Sequence, residues 1–101
     1  MVARRERNAR IQQVLVHLSI YDYCQGMTTI SRGVGMAYSS HFRKILDVMV
    51  TLGYLRYADI AAGTKTYRKW AIDWDSVRND DHELFEELFV LRRRAMRDGI
   101  R

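Results

Sequence analysis

Residues 28–71, TTISRGVGMAYSSHFRKILDVMVTLGYLRYADIAAGTKTYRKWA, constrain the fold more than any other stretch of the chain. A short helical run ends in Gly33-Val34-Gly35, and a longer amphipathic run follows and stops at Leu52-Gly53. Two strand-like runs then flank a glycine loop. Two helices joined by a tight turn must share one small core, and a hairpin after the second helix must lie beside it.

The longer run predicts a helix from about Ala37 or Tyr38 to Leu52, with Gly53 just past its end. Phe42, Ile45, Leu46 and Met49 fall on one side of it, flanked by Val48 and Leu52. Ser40, Arg43, Lys44, Asp47 and Thr51 fall on the other, with Arg43 and Asp47 at the spacing of an i,i+4 pair. Thr28 is the expected cap of the shorter helix, which runs through Ile30 and Val34, and Gly35 serves the turn. Strands are expected at residues 55–59 and 65–72, joined by a loop at 60–64. Arg68, Trp70 and Ile72 share one face of the second strand, while Lys65 and Lys69 face the other way.

Outside this unit, Ile11, Val14, Leu15 and Leu18 form the stripe of a first helix over residues 5–20. Residues 21–26 read as a connection, with Gly26 in a turn. A last helix is capped by Asp80 with Glu83 three positions on, carries Leu84, Phe85, Leu88, Phe89 and Leu91, and ends at Gly99. Arg92, Arg93, Arg94 and Arg97 suit its C-terminal dipole end. The fold class is therefore mainly α with a small β-hairpin. Residues 1–74 are expected as one domain and residues 75–101 as an added C-terminal helix.

The chain has 101 residues, enough for one small core without a disulfide or a metal. No run approaches the roughly 18 apolar residues of a membrane span. No signal-type apolar region follows the basic N-terminus, because Gln12, Gln13 and His17 interrupt it. With Cys24 the sole cysteine, these features point to the cytoplasm. Catalysis is not expected. Asp80, Asp81, Glu83, Glu86 and Glu87 are the acids a helix start attracts. Cys24 and His17 form no nucleophile pair, and Gly33-Val34-Gly35 lacks the rest of a phosphate-binding motif. No metal or cofactor is expected.

The net charge is +5, from 17 Lys and Arg against 12 Asp and Glu. Residues 1–20 carry +3, residues 21–72 carry +4 and residues 73–101 carry −2. Positive charge thus gathers on the helix-turn-helix stretch, mostly as arginine, whose fork matches phosphate and guanine. A nucleic-acid partner is the natural expectation.

The order helix, helix, turn, helix, hairpin resembles the winged helix-turn-helix family over residues 8–72. The resemblance is carried by Ile30-Ser31, Gly35-Met36, Ser39-Ser40, the spacing of Phe42, Leu46 and Met49, and Leu52-Gly53-Tyr54-Leu55 before the hairpin. Ala37 stands where the family usually has a capping Ser or Thr. The resemblance implies a regulator that binds double-stranded DNA, with the third helix in the major groove. Tyr38, Ser39, Ser40, His41, Arg43 and Lys44 would then reach DNA from that helix, and Lys65 and Arg68 from the wing. Arg4, Arg5, Arg7 and Arg10 would supply a backbone-binding arm. A protein-binding adaptor and an architectural DNA binder without sequence preference are the rival readings. The stripe Leu84, Phe85, Leu88, Phe89 and Leu91 either packs on the first helix or pairs with a second copy, and a homodimer is the expectation.

Overall fold

Asn8 opens the first helix: its side chain accepts a hydrogen bond from the Ile11 amide at 3.0 Å, which satisfies a donor the helix cannot. The structure is a computed structural model that describes residues 8–100. The helix expected from residue 5 is seen as α1 (Ala9–Ile20), and Arg4, Arg5 and Arg7 lie outside the described residues. Ile11, Val14, Leu15 and Leu18 are buried, as their spacing predicts.

The connection after α1 contains a strand that the sequence reading missed. β1 (Gln25–Gly26) pairs antiparallel with β3, Gln25 opposite Trp70 and Gly26 opposite Lys69. Two residues are too few to show any periodicity. α2 (Met27–Val34) follows at once, with Gly26 rather than Thr28 at its N-cap and no side chain capping it. Gly35 ends the helix with φ +70°, a conformation that suits glycine.

α3 (Ser40–Thr51) starts later than expected, because Ser39 caps it: the hydroxyl accepts from the Phe42 amide at 3.2 Å. The capping residue missing at Ala37 is thus supplied two positions on, and Tyr38 precedes the helix. Phe42, Leu46 and Met49 are buried beneath it. β2 (Leu55–Ala62) and β3 (Lys65–Ile72) form a longer hairpin than expected, since residues 60–62 belong to the strand and only Gly63 and Thr64 turn. The strand order is β1-β3-β2. From Arg56 onward β2 is exposed, so the hairpin projects beyond the core.

A short helix, α4 (Trp74–Asp80), was not anticipated; Asp73 caps it through the Ser76 amide at 3.1 Å. α5 (His82–Arg97) is capped by Asp81, one residue after the expected Asp80, which is the last residue of α4. Leu84 and Leu88 are 1% and 0% exposed and belong to the same core as α1, Trp70 and Tyr54. This corrects two expectations. The 74/75 boundary does not divide the core, and Leu84 and Leu88 are committed to their own chain rather than to a second copy. Phe85 and Leu91 are half-buried, and Phe89 stays exposed.

Arg92, expected only to suit the helix dipole, is buried. Its Nη1 donates to the Ile20 carbonyl at 2.9 Å and its Nη2 donates to the Ile100 carbonyl, so one guanidinium clamps the end of α1 to the end of the chain's last turn. The described residues thus form five helices and one three-stranded antiparallel sheet, an α+β arrangement that is mostly helical. Among them no helix is long and apolar enough to cross a membrane.

Candidate nucleic-acid interface

The Ser39 cap fixes which side of α3 is free. With Phe42, Leu46 and Met49 anchored inward, Ser40, His41 and Lys44 are exposed on the outer side of the first turns. Tyr38 stands just before them, also exposed. Ser39 is half-buried, with its oxygen engaged by the cap. His41 is tied back to α1, since Arg10 Nη1 lies 2.9 Å from its Nε2. A guanidinium only donates, so His41 accepts through Nε2 in this pairing. Arg10 therefore braces α3 instead of belonging to a free arm.

Arg43 and Arg68 are not free cations. Arg43 leans from α3 toward the sheet, its guanidinium 5.2 Å from the Trp70 ring centroid, and pairs with Asp47 at 3.3 Å. Arg68 lies over the Tyr57 ring at 3.9 Å and makes two bonds to Asp59, Nε to Oδ1 at 2.8 Å and Nη2 to Oδ2 at 3.1 Å. Strand register explains the arrangement. Tyr57 faces Trp70 and Asp59 faces Arg68, so all four sit on the face of the hairpin that turns toward α3. The Arg68 hydrogen bond, aided by the charges of Arg68 and Arg43, holds the Asp59 carboxyl below the usual aspartate value. The same bond holds the Arg68 guanidinium protonated above its ordinary value.

Two arginines and two aspartates therefore balance on this face. The sequence reading found the Arg43–Asp47 pair but missed Tyr57 and Asp59. The turn could have revealed them: a two-residue turn at Gly63-Thr64 sets Asp59 opposite Arg68, whereas a five-residue loop hides the pairing. Positive charge without an ion pair among the described residues lies to either side. Lys44 is exposed on α3 and Lys65 is exposed at the hairpin tip on the opposite face from Arg68. Lys69, on the Lys65 face, is half-buried beside β1. Among the described residues no three His, Cys, Asp or Glu side chains gather as metal ligands. Comparison with known proteins finds no family model, no curated protein and no solved structure that matches the chain.

Proposed function

We propose that this chain is a sequence-specific double-stranded DNA-binding protein of winged helix-turn-helix type, acting as a transcriptional regulator. In this reading α3 enters the major groove, and the β2–β3 hairpin is the wing that touches backbone or minor groove. The observation that carries it is the outward side of α3: Ser40, His41 and Lys44 are exposed on the first turns of a helix whose other side is locked into the core, with Asp47, Val48 and Thr51 exposed further along, beside a hairpin that projects past that core. The element order, with Gly35 in the turn between α2 and α3, supports the same reading.

Magnitudes assign the two arginines different parts. An exposed ion pair such as Arg43–Asp47 contributes about 0–1 kcal/mol. A bidentate arginine contact to guanine contributes about 1–3 kcal/mol of discrimination. Arg43 can therefore leave Asp47 for a base with net gain. Arg68, held by two bonds and stacked on Tyr57, stays in place and stiffens the wing. Lys44 and Lys65 supply phosphate attraction, which is salt-sensitive by nature.

Selection from a pool of random duplexes, followed by salt titration, tests the reading. One motif should be enriched, log K should fall with log salt at about −0.9 per phosphate neutralised, and Lys44→Ala should flatten that slope by about one phosphate. No duplex binding at low salt would sink the reading. A slope without an enriched motif would mark an architectural DNA binder. The carboxylates beside both arginines favour, as second reading, a protein-binding module, which would show neither slope nor motif. The regulator is further proposed to act as a homodimer, joined through the part of α5 that its own core leaves exposed.

A further inference from the structure

A groove of about 490 Å³ opens between β3, the segment around β1 and the start of α3. It is within the ~300–1,000 Å³ range of clefts that hold small ligands. Its lining is unusual for a surface groove in combining exposed aromatic rings with cations. Tyr23 is 53% exposed and Tyr67 is 51% exposed, and Tyr38 joins them from the loop before α3. Arg43, Arg68 and Lys69 line the same space. The first turn of α2, which no side chain caps, also lines it, and a helix start leaves amide donors without partners inside the helix. Trp70 also lines it.

Each feature asks for something different from a ligand. The three tyrosines offer flat apolar faces. Lys69 and the start of α2 suit an anion. A nucleotide has both a π-faced base and a phosphate. In a duplex the base faces are stacked away, so only an unpaired nucleotide can use the rings. We infer that this groove binds an unpaired nucleotide of a single strand, with the base stacked on Tyr23 or Tyr67 and the phosphate held by Lys69 and the first turn of α2.

The inference rests on the nucleic-acid partner of the proposed function, and Tyr38 and Arg43 border both surfaces, whereas Tyr23 and Tyr67 belong to the groove alone. The duplex face is the outer side of α3, and this groove lies beside it. A molecule using both would prefer a duplex with a single-stranded flank.

The test uses the full chain with three labelled probes: a blunt hairpin duplex, a short oligo(dT) and a short oligo(rU), followed by fluorescence anisotropy. At least one single-stranded probe should bind. At least one of Tyr23→Ala and Tyr67→Ala should weaken it by roughly tenfold, whereas Tyr23→Phe and Tyr67→Phe, which keep the ring, should not. Duplex binding should be unchanged in all four variants. Comparing the two single strands tells whether the sugar matters, and tyrosine-dependent binding of either one supports the groove. Binding of neither, or equal binding by the alanine variants, would overturn it. Failure of the duplex reading looks different: the hairpin would not bind while the single strand still did. Both tyrosines are at the surface, so circular dichroism of the variants should match the wild type.

Discussion

Gly33 shows how one residue can be held in place by a neighbour rather than by its own backbone. Within α2 an alanine there would ordinarily help by ~1 kcal/mol. A Cβ at Gly33, however, would meet the His17 ring at 2.1 Å from Cε1 and 2.5 Å from Nδ1. The ring would have to turn, and its Nε2 would release Gln25 Oε1, now 2.8 Å away. Gln25 is 2% exposed, so its oxygen would be left buried without a partner, at a cost of about 1–3 kcal/mol. The penalty exceeds the gain, and Gly33→Ala should lower stability by about 1 kcal/mol in a urea titration; a rise would mean that His17 turns freely. Asp59 offers a second residue-scale prediction. Its carboxyl titrates lower in the folded chain than in the unfolded one, so the Arg68 contact stabilises the hairpin fully above the usual aspartate value and is lost as pH falls through the depressed folded value. Arg68→Met should move the Asp59 midpoint upward in a carboxyl-detected NMR titration, and an unmoved midpoint would show that the two side chains do not pair in solution.

At the scale of elements, α5 gives the sharpest test, because its apolar stripe allows two opposite fates. Leu88 lies in the shared core, so Leu88→Ala should cost about 2–5 kcal/mol of unfolding free energy, and Leu88→Glu should unfold the chain rather than split a dimer. A folded Leu88→Glu variant would place the leucine outside the core. The stripe itself was legible, as were α1 and α3, since each shows several apolar residues at helical spacing. Which part of the stripe turns inward was not legible: Leu84, Phe85, Leu88, Phe89 and Leu91 spread over more surface than one core face accepts. The order of residues shows breadth but not orientation. β1 and α4 escaped notice for other reasons. Two residues carry no period, and Trp74-Asp75-Ser76-Val77 looks like polar connection until Asp73 is seen to cap it. Arg92 was the plainest miss, because only the fold brings the Ile20 carbonyl, 72 positions away in sequence, within its reach. Of the candidate site, the split of α3 into a buried and a free side followed from periodicity, whereas the Tyr57–Trp70 and Asp59–Arg68 pairs needed the register of the hairpin.

For the whole molecule the open question is what covers the aromatic cluster left on α4 and α5. Phe85 and Phe89 stack with centroids 5.4 Å apart, and Trp74 meets them edge-on at 6.0 and 6.1 Å. Met96, 63% exposed, continues this apolar strip along the same side of α5. The charge of α5 favours one arrangement of a second copy. Glu83, Glu86 and Glu87 lie in its first half, and Arg93, Arg94 and Arg97 in its second. Two copies crossing antiparallel about a two-fold axis set the acidic half of each against the basic half of the other, whereas a parallel pair sets like against like. Apolar contact at the centre and opposite charge at the ends therefore point to an isologous, antiparallel α5 pair. Sedimentation equilibrium should show a dimer that weakens with salt, and Phe89→Glu should give a folded monomer, because Phe89 is exposed where Leu88 is not. On the proposed function this has a consequence for the DNA: a two-fold axis through α5 would make the preferred operator a palindrome, with half-site centres about 34 Å apart or at a multiple of that spacing. The Phe89→Glu monomer should then bind a single half-site as tightly as wild type does, while losing the extra affinity for the full palindrome. A wild-type chain that sediments as a monomer at every concentration, or an operator without symmetry, would break the link between the exposed side of α5 and the DNA contacts proposed for α3.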